Sequence, residues 1–156
     1  MIRPWAICAG AALLPADAAI AMPDDGEAAP PQITLGNGEH NAIMLEGATR
    51  SGATFRIPTI RIDRNGFLVM HPFRDGAPVP TEYVGAVPVP AGVSHNVRIT
   101  VDAEPMAGEM FIVMLHYDMN DDRVFDFGDG VTVPDAPVFE GGTMIAHRYA
   151  APEESE

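Results

Sequence analysis

From Phe55 to Tyr149 the chain is written in short apolar runs punctuated by Gly, Pro, Asn and Asp, and no stretch keeps a helical period for three turns. The pattern predicts strands. Val93 to Val101 alternates throughout, with Val93, His95, Val97, Ile99 and Val101 on one face and Ser94, Asn96, Arg98 and Thr100 on the other, as a half-buried strand does. Met110 to Tyr117 is apolar on both faces: Met110, Ile112, Met114 and His116 alternate with Phe111, Val113, Leu115 and Tyr117. A strand of that kind belongs in the middle of a sheet. Phe55 to Ile62 carries Ile57 and Ile60 among polar neighbours, and Asn65-Gly66 follows as a tight turn into Phe67 to His71, which predicts a hairpin. Gly85 to Val89, Met144 to Tyr149 and Asn41 to Leu45 supply further strands, and Gly36-Asn37-Gly38 reads as another hairpin turn.

About seven short strands with frequent turns predict an all-β fold, an immunoglobulin-like Greek-key antiparallel β-sandwich. No repeat of roughly 20 to 50 residues is present, which argues against a propeller or solenoid. Ahead of the strands, Arg3 precedes the apolar run Trp5 to Leu14, Pro15 breaks it, and Ala19-Ile20-Ala21 offers an A-x-A cleavage signature. Residues 1–21 therefore read as a cleavable signal peptide, with Met22 as the mature N-terminus and Ala16-Asp17-Ala18 as an earlier cut. The apolar run is about half the roughly 20 residues that a membrane span needs. Residues 22–31 (MPDDGEAAPP) predict a mobile acidic, Pro-rich leader, 32–150 the sandwich, and 151–156 an acidic disordered tail. The place of action is then the periplasm or the exterior of the cell.

Composition narrows the chemistry. Cys8 lies inside the signal's apolar run, so the mature chain has no cysteine, and with it no disulfide, thiolate nucleophile or thiolate metal ligand. The net charge of −13 is unchanged by cleavage, because the signal removes one Arg and one Asp. That charge disfavours nucleic acid and anionic membranes and leaves a protein outside the cytoplasm as the open class of partner. Lysine is absent altogether, which excludes a Schiff-base lysine and a P-loop lysine.

Several short motifs resemble a known family: Gly66-Phe67-x-Val69-x-His71, Val89-Pro90-Ala91-Gly92-x-x-His95-x-Val97, Leu115-His116-x-Asp118-x-Asn120, Phe125-Asp126-Phe127 and Asp135-x-Pro137-Val138. In order and spacing they are similar to a domain of unknown function found in exported proteins of halophilic archaea and of bacteria, over about Phe55 to Ala150. The resemblance implies a β-sandwich outside the cytoplasm and carries no activity with it.

Two constellations could hold a metal. In Asp118-Met119-Asn120-Asp121-Asp122-Arg123-Val124-Phe125-Asp126-Phe127-Gly128-Asp129, oxygen side chains stand at positions 1, 3, 5, 9 and 12 of a twelve-residue loop, the spacing by which one loop wraps Ca²⁺. Asp118, Asn120 and Asp122 would give side-chain oxygens, Val124 its carbonyl, and Asp126 or Asp129 the last carboxylate. Position 6 is Arg123 where the sharp turn prefers glycine, position 12 is Asp rather than Glu, and no flanking helices make an EF-hand. The same run serves equally as an acidic turn whose Asp and Asn bond their own backbone. Separately, eight methionines and five histidines survive cleavage, and Met114 and His116 share a strand face. With His71 they compose a thioether–imidazole set suited to Cu(I), to which Met70, Met110, Met119, Met144 and His147 could add. Without cysteine a blue-copper site is not available, and methionine is also an ordinary filler of irregular core gaps.

Catalytic patterns are thin. Ser94 abuts His95, but neighbours on a strand face opposite ways, and no G-x-S-x-G, H-E-x-x-H or phosphate-cradling loop occurs. The sequence therefore predicts no catalytic residue and no enzyme. It predicts an exported interaction or structural module with one Ca²⁺ loop, or alternatively a periplasmic copper protein using His71, Met114 and His116.

Overall fold

The computed structural model describes residues 33–155, and the signal-peptide and leader readings lie outside them. Eleven strands form two sheets, and no helix occurs among the described residues. One sheet joins β1 (Thr34–Gly36), β5 (Gly66–Arg74), β6 (Ala77–Pro78), β7 (Gly85–Val89), β9 (Met110–Tyr117), β10 (Phe139–Glu140) and β11 (Thr143–Ala150). The other joins β2 (Ala42–Met44), β3 (Thr49–Ser51), β4 (Thr54–Ile62) and β8 (Gly92–Thr100).

In the larger sheet β5 lies between β7 and β9, and β9 in turn pairs β11, all antiparallel; β1 adds to the far side of β11 in parallel. The both-faces-apolar reading of Met110 to Tyr117 is thus met by a strand with a neighbour on each side. In the smaller sheet β4 is central, with β8 on one side and β2 then β3 on the other. One core fills the space between the sheets: Ile43, Phe55, Ile57, Ile60 and Ile62 from one meet Leu68, Met70, Phe111, Val113, Leu115 and Ile145 from the other.

The three-residue spacing of Ile57 and Ile60 has a local cause. Opposite Pro58 the partner strand is interrupted between β2 and β3, and the buried phase of β4 shifts by one residue there, so that Phe55 and Ile57, then Ile60 and Ile62, all face inward. Proline lacks the N–H a central strand needs, and this interruption is where its absence is tolerated.

Two predicted hairpins are corrected. The strands flanking Asn65-Gly66 do not pair; β4 and β5 lie in different sheets. Asn65 makes a corner, its side chain accepting the Ala91 amide and its carbonyl the Asp118 amide. Gly66 is required by a neighbour rather than by a turn, since a Cβ there would stand 2.1 Å from the His116 carbonyl oxygen. Likewise Gly36-Asn37-Gly38 leads from β1 in one sheet to β2 in the other. It is held by Asn37 Oδ1, which accepts the Ile43 amide, and by the Glu140 carboxylate, which accepts the amides of Glu39 and His40.

Two other expectations change. Val93 and His95 are exposed and do not share the face of buried Ile99 and Val101: they stand opposite Arg61 and Thr59, while Val97 and Ile99 stand opposite buried Ile57 and Phe55, so the phase of β8 shifts with that of β4, at Asn96, which takes φ +54°. The segment predicted as a disordered tail folds back on β3 over 151–155: Ala151 is buried, Arg50 Nε donates to the Pro152 carbonyl, and the Ser155 amide donates to the Arg50 carbonyl. Acidic composition signals solvation, but backbone groups paired with a buried arginine override it.

Candidate functional site

The larger sheet buries its outer face as well as its inner one. Leu68, Met70, Val113 and Leu115 point to the core, so the residues between them, Phe67, Val69 and His71 on β5 and Ile112, Met114 and His116 on β9, point away from it. A long connection from Asp118 to Val138 folds over this outer face. Its Phe125 and Phe127 stack at 5.4 Å with an interplanar angle of 13°, and Tyr83 meets both rings edge-on at 5.0 and 5.7 Å. Beneath them Phe67 and His116 lie 5.3 and 5.1 Å from Phe125, and His71 lies 5.5 Å from Phe127. This aromatic cover leaves His71 only 3% and His116 only 1% exposed.

Both imidazoles are fixed in the same way. Nδ1 of His71 is 2.6 Å from the Glu82 carbonyl, and Nδ1 of His116 is 3.0 Å from the Asp135 carbonyl. A carbonyl only accepts, so each Nδ1 carries the proton and each Nε2 presents its lone pair. Neither Nε2 has a hydrogen-bond partner, and both are buried. Burial pushes the His116 imidazole down to about 4 and lowers that of His71 as well, against the opposing pull of the carbonyls. The rings stand 5.6 Å apart, and Met114, opposite Val69 in register, lies between the position of His71, opposite Ile112, and that of His116, opposite Phe67. Histidines and methionine line one half-open cavity of about 260 Å³, together with apolar side chains that include Met144, Ile112 and Phe127.

The acidic loop begins where β9 ends, two residues beyond His116. Asp118 is 2% exposed. Its Oδ2 accepts the Arg123 amide at 2.9 Å, Asn120 Oδ1 accepts the Asp122 amide at 3.3 Å, and Asp122 Oδ1 accepts the Val124 amide at 2.8 Å. These bonds curl the segment around its own acids, and Arg123 takes φ +62°, the conformation for which a glycine was expected at that position. Asn120 Nδ2 donates to Asp122 Oδ2 at 2.9 Å and to Asp126 Oδ2 at 3.0 Å, so three of the predicted side chains converge. Asp118 Oδ1 is buried without a partner.

The structure does not bring Asp129 into this group; it lies beside Pro80, Thr81 and Gly128. Asp135 stands in the cluster instead, 3% exposed, its two oxygens accepting the Met119 and Asp126 amides at 2.9 and 2.8 Å. Burial raises its carboxyl, and the charges of Asp118 and Asp126 raise it further, against the two amide bonds. None of the ion pairs among the described residues involves Asp118, Asp126 or Asp135. Among the described residues, no three His, Cys, Asp or Glu side chains stand ready-made around a single metal position.

The remaining candidates disperse. Met70 is in the core, Met119 is exposed, His147 bonds Asn37, and His95 bonds Thr59 on the smaller sheet. Asp135, nine residues beyond Asp126, was missed because loop spacing alone cannot see a carboxylate returned by the fold. The signal that could have found it is its place among the family-like motifs.

The family model described as "Domain of unknown function (DUF7282)" matches residues 41–151, a span that holds both the acidic loop and the two histidines. No curated protein and no solved structure matches the chain.

Proposed function

The chain belongs to the DUF7282 family of domains of unknown function, and from that premise we propose that it is a non-enzymatic, exported interaction module whose Asp118–Asp126 loop binds Ca²⁺. The observation that carries this is Asp118. Its carboxylate is buried at the first position of the loop, with one oxygen tied to the amide at position 6 and the other unpartnered. A buried charge without compensation is costly, and a divalent cation supplies the compensation. Asp122 and Asp126, now bridged by the amide of Asn120, are the next two carboxylates the ion would take, with Asn120 turning its oxygen inward; Asp135 closes the cluster from across the loop.

Export fits this chemistry. Weak loops of 10⁻⁴ to 10⁻³ M affinity, roughly, are typical of extracellular modules, where calcium is abundant. The strand order, β2/β3–β4–β8 facing β7–β5–β9–β11, supports the immunoglobulin-like Greek-key reading. The paired-strand scaffold leaves the exposed edge strand β8 free for a protein partner outside the cytoplasm.

A melting curve tests the proposal. With a dissociation constant of about 10⁻⁴ to 10⁻³ M, 10 mM Ca²⁺ stabilises the fold by about 1.4 to 2.7 kcal/mol. Tm should rise by several degrees in Ca²⁺, less in Mg²⁺, and not at all in D118N. A wild-type Tm indifferent to 10 mM Ca²⁺ would sink the proposal. Export is tested separately, by fractionating the native cell and sequencing the mature N-terminus, expected at Met22.

A further inference from the structure

We infer that His71, His116 and Met114 form a second, separate site, one that binds a soft monovalent metal ion, Cu(I), in the cavity they line together with Phe127. The inference stands apart from the calcium loop, because it uses other residues and another kind of donor. Two buried imidazoles with both Nδ1 protons given to backbone carbonyls present two fixed Nε2 lone pairs, and neither lone pair has a partner. A carbonyl that orients a histidine through its far nitrogen is how proteins hold metal-ligating imidazoles. A buried acceptor with no donor costs free energy that an ordinary core residue would avoid.

The surroundings choose the ion. The cavity is lined by imidazole, by thioether from Met114 and Met144, and by Leu35, Ile112 and prolines, with no carboxylate and no thiolate. Hard ions such as Ca²⁺ and Mg²⁺ require oxygen ligands, which the cavity does not offer. Zn²⁺ or Cu(II) would bring two charges into an apolar cavity whose ligands are all neutral, at a heavy desolvation cost. Cu(I) brings one, and nitrogen–thioether coordination suits its softness. At about 260 Å³ the cavity is below the usual range of organic-ligand pockets, roughly 300 to 1,000 Å³, so an ion fits it better than a metabolite.

The test is a titration of the purified protein with Cu(I) under reducing conditions against a chromophoric Cu(I) chelator, with Ag(I) as a redox-inert surrogate for NMR. One equivalent of Cu(I) should be withdrawn from the chelator. Ag(I) should shift the Nε2 resonances of His71 and His116 while leaving His95 unmoved. Met114→Leu keeps the volume and removes the sulfur, and should weaken binding by about tenfold or more. Because histidine substitutions in so buried a place could unfold the protein, the His95→Gln variant serves as the folded control and should bind as the wild type does. Failure to withdraw one equivalent overturns the assignment. So does binding that leaves either the two imidazole resonances or the Met114→Leu affinity unchanged.

Discussion

The two faces of the β5–β9 ribbon are built from alternate residues of the same two strands, and they are buried to nearly the same degree, yet they solve different problems. Inward, Leu68, Met70, Val113 and Leu115 are fully buried against the isoleucines of the smaller sheet. Outward, Val69, His71, Met114 and His116 lie under a loop rather than a sheet, and the face ends in two nitrogens without partners. Burial alone therefore does not separate scaffold from site. What separates them is that the inner face has no polar group to satisfy, whereas the outer face has been given polar groups and only half of their bonds.

That contrast is most easily broken from the inside. Leu115→Ala removes a side chain with no solvent contact from the packed core, so it should cost about 2 to 5 kcal/mol in urea unfolding. A loss below about 1 kcal/mol would mean that the inner face is not the core. Acid probes the outer face with a comparable effect. Burial holds the folded His116 imidazole at about 4, whereas the unfolded chain titrates near the ordinary value of about 6.5. Between those values the unfolded state binds a proton that the folded state refuses. Stability from this group is therefore complete above about pH 6.5 and is lost as pH falls toward 4, by up to about 3 kcal/mol. Asp135, raised by burial, works in the opposite direction and gains as pH falls. His116→Gln should flatten the slope of stability between pH 6.5 and 4; an undiminished slope would assign it to other groups.

A third substitution tests how tightly the outer face is closed at its end. Gly66→Ala places a methyl group against the His116 backbone, where no side chain can swing away, and should cost about 1 to 3 kcal/mol. Its effect should exceed that of Gly76→Ala, where the space is open and only the positive φ opposes the change. Equal losses would mean that the strands part easily at this corner.

Much of this was legible in the sequence where a property repeats along the chain. Short apolar runs between turn residues located seven strands, and the doubly apolar run Met110 to Tyr117 marked the sheet's centre. Pairing was less legible. Asn65-Gly66 carries the composition of a hairpin because corner and hairpin both need a short polar residue and a residue without Cβ; only the packing of β9 against Gly66 tells them apart. The very short strands β1, β3, β6 and β10 hold too few residues for any period to register. For the sites, the loop's one-three-five spacing was visible because all its members are local. Asp135, the convergence of His71 with His116, and the exclusion of His95 and His147 depend on strands brought together from distant parts of the chain.

The smallest expected effect discriminates best between the two faces. Met114→Leu exchanges thioether for methylene at nearly constant volume on a partly buried outer position, so the metal-free protein should change in stability by less than about 1.5 kcal/mol. The corresponding inner exchange, Met70→Leu, should be similarly mild, since both are shape-preserving swaps within closed packing. Chemical denaturation with metal removed should find the two variants alike, because packing cannot distinguish sulfur from carbon strongly at either place. Under Cu(I) they should diverge: the Met70→Leu protein keeps the stabilisation the ion gives the wild type, and the Met114→Leu protein loses most of it. Parallel behaviour in both conditions would make Met114 a packing residue, and the outer face a second core with two unsatisfied histidines in it.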